Sequence, residues 1–183
     1  MKEAMDVSGF IEIFTEHLLL RPLRISDAEE MFDYRSDTEF NCYQGWVPRE
    51  ITETYDFINN RVSADIDIPG TWFQFAILDK ESHEMIGDLG IYFSKVESSE
   101  VELGITLSRK YTGRGWAGEA LGTAVSYLVK HLGKKRMVAY IAPDNIRSCR
   151  LFERLGFCRT AMDEGAIESN PEDIDLKYIL LLP

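Results

Sequence analysis

The chain has 183 residues and a formal charge of −11, with 31 acidic against 20 basic residues. That length suits one domain rather than two, and a chain of this size buries roughly 70% of its unfolded surface. Hydrophobic residues at 45% and charged residues at 28% exclude a disordered, collagen-like or coiled-coil chain, and the acidity argues against a nucleic-acid partner. The uncharged run Ile68–Leu78 is far shorter than the ~18 residues a membrane span needs. MKEAMDVSGF at the N-terminus lacks the apolar segment of a secretory signal. Cys42, Cys149 and Cys158 form no CxxC pair and are odd in number, so no disulfide framework is expected. His17, His83 and His131 are scattered without ligand spacing, so no metal site is expected either. The sum is a cytoplasmic chain, monomer or homodimer, working away from membranes.

Residues 1–14 read as an N-terminal arm, and 15–183 as the domain. His17–Leu23 is a strand that Pro22 confines to an edge or an end. Ser26-Asp27-Ala28-Glu29 has the pattern of a capping box and opens a helix to about Arg35. After the turn-rich Asn41–Val47, Pro48 starts a second helix with Ile51, Tyr55, Ile58 and Val62 on one face, until Ile68-Pro69-Gly70 breaks it. Three strands follow as a meander: Trp72–Leu78, Met85–Phe93 and Val101–Leu107. The last alternates, with Val101, Leu103, Ile105 and Leu107 opposite Glu102, Gly104 and Thr106. A glycine-rich loop from Thr112 to Gly118 leads into a helix that Gly133 terminates. Arg136–Ile141 is a strand, and Pro143-Asp144-Asn145 starts a helix to Leu155. Strands near Phe157–Met162 and Asp175–Leu182 complete the chain. Antiparallel hairpins followed by strand–helix–strand crossovers imply a mixed, curved α/β sheet.

Charge is distributed unevenly. Between Arg109 and Arg150 nine Lys/Arg face two acids, a balance of +7 that leaves −18 for the rest. A basic segment in an acidic chain suits a multiply charged anion, and the acidic remainder suits a cationic acceptor. The loop contains Gly113-x-Gly115-x-x-Gly118, a dinucleotide-binding pattern. Its context opposes a nicotinamide site: four residues separate the first glycine from its strand, that strand alternates, and no acid ends the next strand. A phosphate-binding lysine motif is absent as well. What remains is a pyrophosphate cradle of backbone N–H groups at a helix N-terminus, flanked by Arg109, Lys110 and Arg114.

Val101–Leu107 followed by Tyr111-Thr-Gly-Arg-Gly-Trp-Ala-Gly-Glu-Ala-Leu121 resembles the acetyl-CoA motif of the GNAT N-acetyltransferases, most closely the RimJ/RimL branch that acetylates protein N-termini. Asn145-Ile-Arg-Ser148 through Leu155-Gly-Phe157 is similar to that branch's second cofactor motif, and Thr15–Leu23 with Ser26-Asp27-Ala28 to its opening strand and helix. The resemblance implies a mostly antiparallel, splayed central sheet flanked by helices, with acetyl-CoA between the Val101 and Arg136 strands. Its pyrophosphate would contact Thr112, Gly113, Arg114, Gly115, Trp116, Ala117 and Gly118. Its pantetheine would pair with Ile105, Thr106 and Leu107 as an added strand, and a backbone N–H there would receive the developing oxyanion. Asn145 and Ser148 would hold the arm, and Arg147 or Arg150 the adenosine phosphates. The sequence departs from the family at Thr112, where Gln or Arg is usual, and at Phe152, where many members carry a proton-donating tyrosine.

The implied reaction is acetyl transfer to a primary amine: a protein or peptide N-terminus, an aminoglycoside, a polyamine or another small amine. With a pKa near 10.4 only roughly one lysine-like amine in 10³ is neutral at pH 7, a deficit of roughly 4 kcal/mol, whereas an α-amine near 8 needs less help. Glu102 is the candidate base, with Asp88 on the neighbouring strand as the alternative. Two other readings compete: a non-catalytic acyl-CoA-binding module, compatible with Thr112 and Phe152, and a nucleotide-dependent oxidoreductase resting on GxGxxG alone.

Overall fold

The computed structural model describes residues 3–5, 11–160 and 175–182. Among these residues nine strands form one sheet in the order β1-β2-β3-β4-β5-β6-β7-β9-β8. They are β1 (Glu3–Met5), β2 (Ile11–Phe14), β3 (Leu18–Pro22), β4 (Trp72–Asp79), β5 (Met85–Phe93), β6 (Glu100–Leu107), β7 (Arg136–Ile141), β8 (Cys158–Arg159) and β9 (Leu176–Leu181). Every neighbouring pair is antiparallel except β6 and β7, which run parallel across the helical crossover between them. The helices are α1 (Ala28–Arg35), α2 (Ile51–Asp56), α3 (Trp116–Leu132) and α4 (Ile146–Arg154). The mixed, mostly antiparallel sheet with flanking helices is therefore the one the sequence implies, and β1 and β2, from residues 1–14, pair at its first edge.

Helices cover both faces of the central strands, which is why β4 and β5 are buried almost throughout. On one face Leu89, Ile91, Phe93, Val101 and Leu103 pack with Leu121, Ala124 and Leu128 of α3 and Phe152 of α4. On the other, Leu19, Ala76, Leu78 and Met85 meet Met31 and Tyr34 of α1, with Trp46, Phe57 and Ile58 around them. Helix α3 stops where Gly133 adopts φ 63°, as its position after Leu132 predicts.

Three local expectations are corrected. Ser26 caps nothing: Asp27 accepts the Arg24 N–H at 2.8 Å and is clamped by the Arg21 guanidinium at 2.7 and 2.8 Å. A carboxylate with a bidentate arginine partner holds this turn better than a serine hydroxyl. The second helix keeps α-geometry only to Asp56, widens into a π-turn over Phe57–Arg61, and loses Val62 to a bridge with Trp72. Asn59 and Asn60, both poor helix formers, sit in that turn. Near Phe157 the strand is limited to Cys158–Arg159, because Phe157 turns into the core against Phe152. Met162, the expected end of that strand, lies outside the described residues.

Candidate active site

Strands β6 and β7 are in register only from Glu100 to Glu102, opposite Arg136 to Val138. Beyond Glu102 they diverge, so the remaining length of β6 meets no β7 partner and a cleft of about 1120 Å³ opens there. Its walls are Ile105, Thr106 and Leu107 of β6, the loop and first turn of α3, the start of α4, and the segment Glu39–Gln44. In the sequence that last wall is marked only by the turn-rich composition of Asn41–Val47.

At the cleft's phosphate end Gly113 and Gly115 adopt φ 80° and 85°, conformations that favour glycine, and a Cβ on either would meet open space. Gly115 is the N-cap of α3 and has no side chain to cap it, so the first-turn N–H groups of Trp116, Ala117 and Gly118 lie along the cleft. Thr112 lines the cleft, but its hydroxyl donates to the Arg109 carbonyl at 2.9 Å. Arg114 does not line it: its guanidinium lies over Tyr111 and Trp116, 5.1 and 5.0 Å from the ring centroids. Asn145 is the N-cap of α4, accepting the Ser148 N–H at 3.2 Å, and both residues line the cleft.

Along α4 the side chains of Arg147, Leu151 and Arg154 line the cleft, and exposed Arg150 does not. Arg147, Leu151 and Arg154 follow the i, i+4, i+7 spacing of one helical face; Arg150, at i+3, shares that spacing, and only the structure sets it apart from the cleft. Arg109 joins them at the mouth, paired with Asp37 at 3.1 Å. Phe152 is buried edge-on against Phe157 at 5.0 Å, a core position rather than a cleft position.

These features fit an acyl-CoA. An uncapped helix N-terminus with two left-handed glycines suits a pyrophosphate, and an unpaired strand edge suits the amides of pantetheine. Thr106 Oγ1, buried in the cleft wall, has no hydrogen-bond partner among the described residues.

The two candidate carboxylates differ sharply. Glu102 is half-buried on β6, and its carboxyl is raised above the usual range by burial first, then by repulsion from Glu100 and Asp175. Glu100 is itself paired to Arg136 at 2.6 Å. Asp88 is fully buried and saturated: it accepts from Tyr34 Oη at 2.5 Å, Arg35 Nε at 2.9 Å, Arg35 Nη2 at 2.5 Å and the Gln74 amide. A carboxylate with four donors and no solvent has no capacity for an acceptor's proton, so Asp88 is corrected to a structural role. It acts on the cleft through its partners. Asn41 donates to the Tyr34 and Arg35 carbonyls at 2.7 and 3.2 Å, and Arg35 Nη1 to the Trp46 carbonyl at 3.4 Å.

The splayed sheet and glycine cradle define an acyl-CoA-dependent transferase, and the comparisons agree. Residues 17–158 match the family model described as "Acetyltransferase (GNAT) domain", and the chain belongs to that family. It is 31% identical over 171 residues to "Uncharacterized N-acetyltransferase p20" of Bacillus licheniformis, covering 93% of this chain and 95% of that one. It is 28% identical over 163 residues to the "[Ribosomal protein uS5]-alanine N-acetyltransferase" of Escherichia coli, covering 80% of this chain and 78% of that one. Among solved structures, the RimL ribosomal L7/L12 alpha-N-protein acetyltransferase in complex with coenzyme A superposes with a TM-score of 0.76 at 18% identity, over 92% of this chain and 96% of that one. The chain is thus an acetyl-CoA-dependent N-acetyltransferase with RimJ/RimL-type homologues, and the oxidoreductase and non-catalytic readings fall away. Among the described residues no helix is long and apolar enough to cross a membrane.

Proposed function

We propose that the acceptor is the α-amine of a protein or peptide N-terminus and that Glu102 removes its proton. The observation that carries this reading is the half-buried Glu102, a raised carboxylate where β6 and β7 begin to part. A carboxylate raised toward neutrality is a better-matched base than an ordinary one, and an α-amine near pKa 8 asks less of it than a lysine-like amine would. The Escherichia coli relative, a [ribosomal protein uS5]-alanine N-acetyltransferase, supports the same class. The acyl donor supplies the activated acetyl group. The chain's residues bind its phosphates at Gly113–Gly118, with Arg109, Arg147 and Arg154 nearby, and align its arm on the Ile105–Leu107 edge. Glu102 receives the ammonium proton and returns it to solvent.

The test begins with thermal unfolding in acetyl-CoA, CoA, NADH, NADPH and ATP. At 100 times Kd the CoA species should add about 2.7 kcal/mol, a rise of about 5–10 °C for a chain of this size. Turnover is then followed as CoA release with peptides bearing N-terminal Ala or Ser and with spermidine. Acetylation of the peptides at their α-amine supports the proposal. A clear preference for spermidine, or a shift with the nicotinamide nucleotides alone, overturns it.

A further inference from the structure

Glu102, Gly104 and Thr106 alternate onto one face of β6, away from the core formed by Val101 and Leu103. Their cross-strand partners on β5 are Tyr92, Gly90 and Asp88. Two glycines therefore face each other in the middle of the sheet, with larger side chains before and after them. The two are not equivalent. A Cβ on Gly90 would meet Gln74 Oε1 at 2.9 Å and the Trp72 ring at 3.2 Å, so the space above Gly90 is already filled from β4. A Cβ on Gly104 would meet nothing within 4 Å, and Gly104 has no positive φ. No contact and no backbone strain in this structure requires glycine at 104.

The open space has defined ends. Glu102, a half-buried carboxylate outside the network that saturates Asp88, stands on one side, two residues along the strand. Thr106, buried with an unpartnered hydroxyl, stands on the other and lines the donor cleft. Strand β7 parts from β6 just after Glu102, so this gap lies where the two strands diverge.

We propose that Gly104 is the floor of the acceptor slot: the reacting primary amine lies above it, between the Glu102 carboxylate and Thr106, and the absent side chain at 104 sets the bulk tolerated beside that amine. The inference rests on the amine-acceptor reading above and adds a residue that decides which amines enter. A glycine kept only for folding would behave differently, because glycine within a strand is less stable than alanine when nothing crowds the site.

The experiment compares wild type, Gly104→Ala and Gly104→Val by melting midpoint, by acetyl-CoA affinity in calorimetry, and by kinetics with the Ala- and Ser-terminated peptides and spermidine. The slot predicts an unchanged or higher midpoint and unchanged acetyl-CoA affinity in both variants. Acceptor kcat/KM should fall about 10-fold in Gly104→Ala and about 100-fold in Gly104→Val, through acceptor KM first. Full turnover in Gly104→Val overturns the slot alone. So does a loss of acetyl-CoA affinity or of folding that accounts for the lost rate. A wild type that binds acetyl-CoA yet acetylates none of the three probes overturns the amine reading, and the slot with it.

Discussion

Replacing Asp88 by alanine tests whether the network behind the cleft is structural. Asp88 is fully buried and Arg35 nearly so, and the carboxylate accepts from Arg35, Tyr34 and Gln74. Without it the guanidinium keeps its charge in a site that offers no replacement anion, and breaking a buried pair from one side costs about 3–5 kcal/mol. Domains of this kind are stable by about 5–15 kcal/mol, so the loss is a large fraction of the total. At about 2–4 °C per kcal/mol it lowers the melting midpoint by roughly 6–20 °C. The assay is urea and thermal unfolding of wild type, Asp88→Ala, Arg35→Leu and the double variant. The double variant removes both charges, so it should be more stable than the summed single effects require, by about 2 kcal/mol or more. Because Arg35 and Asn41 hold both ends of the Asn41–Trp46 segment, Asp88→Ala should also weaken acetyl-CoA binding. A loss below about 1 kcal/mol, or strict additivity in the double variant, refutes this account of the buried pair.

Other expectations follow from the same geometry. Glu102→Gln should abolish the acidic limb of the kcat/KM profile, a limb that in wild type lies above the ordinary carboxylate range near 4.3. Because folding raises this carboxyl, its charged form destabilises the fold above the folded-state pKa. The cost fades as pH falls through that value, so Glu102→Gln should melt higher than wild type at neutral pH and converge with it in acid, as a pH series of melts would show. Arg147→Ala should weaken CoA binding in calorimetry, while Arg150→Ala leaves it unchanged, since only the former lines the cleft. Gly115→Ala forces a Cβ into a left-handed conformation, costing about 1–2 kcal/mol in unfolding experiments and loosening the phosphate end in parallel.

The sequence made the sheet's centre legible because there one physical rule dominates at a time. Trp72–Asp79 and Met85–Phe93 are long apolar runs between polar turns, and Arg136–Ile141 is a short run bounded by a glycine and a proline. Helix α3 carries its own stop at Gly133. The donor cleft was legible for the same reason: glycines, a helix start and a strand edge lie within one stretch of chain. Strand β2 was not, because the four residues Ile11–Phe14 are too few for alternation to stand out. The cleft wall at Glu39–Gln44 was not, because it is placed by Arg35 and by Asp88, 53 residues further along the chain. No local pattern announces a contact of that kind.

Glu102 and Asp88 show why a residue type and a strand face are insufficient to assign a base. Both carboxylates lie on the same face of adjacent strands, with Asp88 opposite Thr106 and Glu102 opposite Tyr92. Alternation alone makes them equal candidates. What separates them is the partner set. Four donors occupy the Asp88 oxygens and leave no lone pair at work on a substrate. Glu102 instead has like charges at Glu100 and Asp175 and loses solvent without gaining a cation, so its carboxyl titrates upward. Divergent environments assign divergent roles to like groups. One carboxylate shapes the cleft, and the other is the group to which the proposal above gives the acceptor's proton.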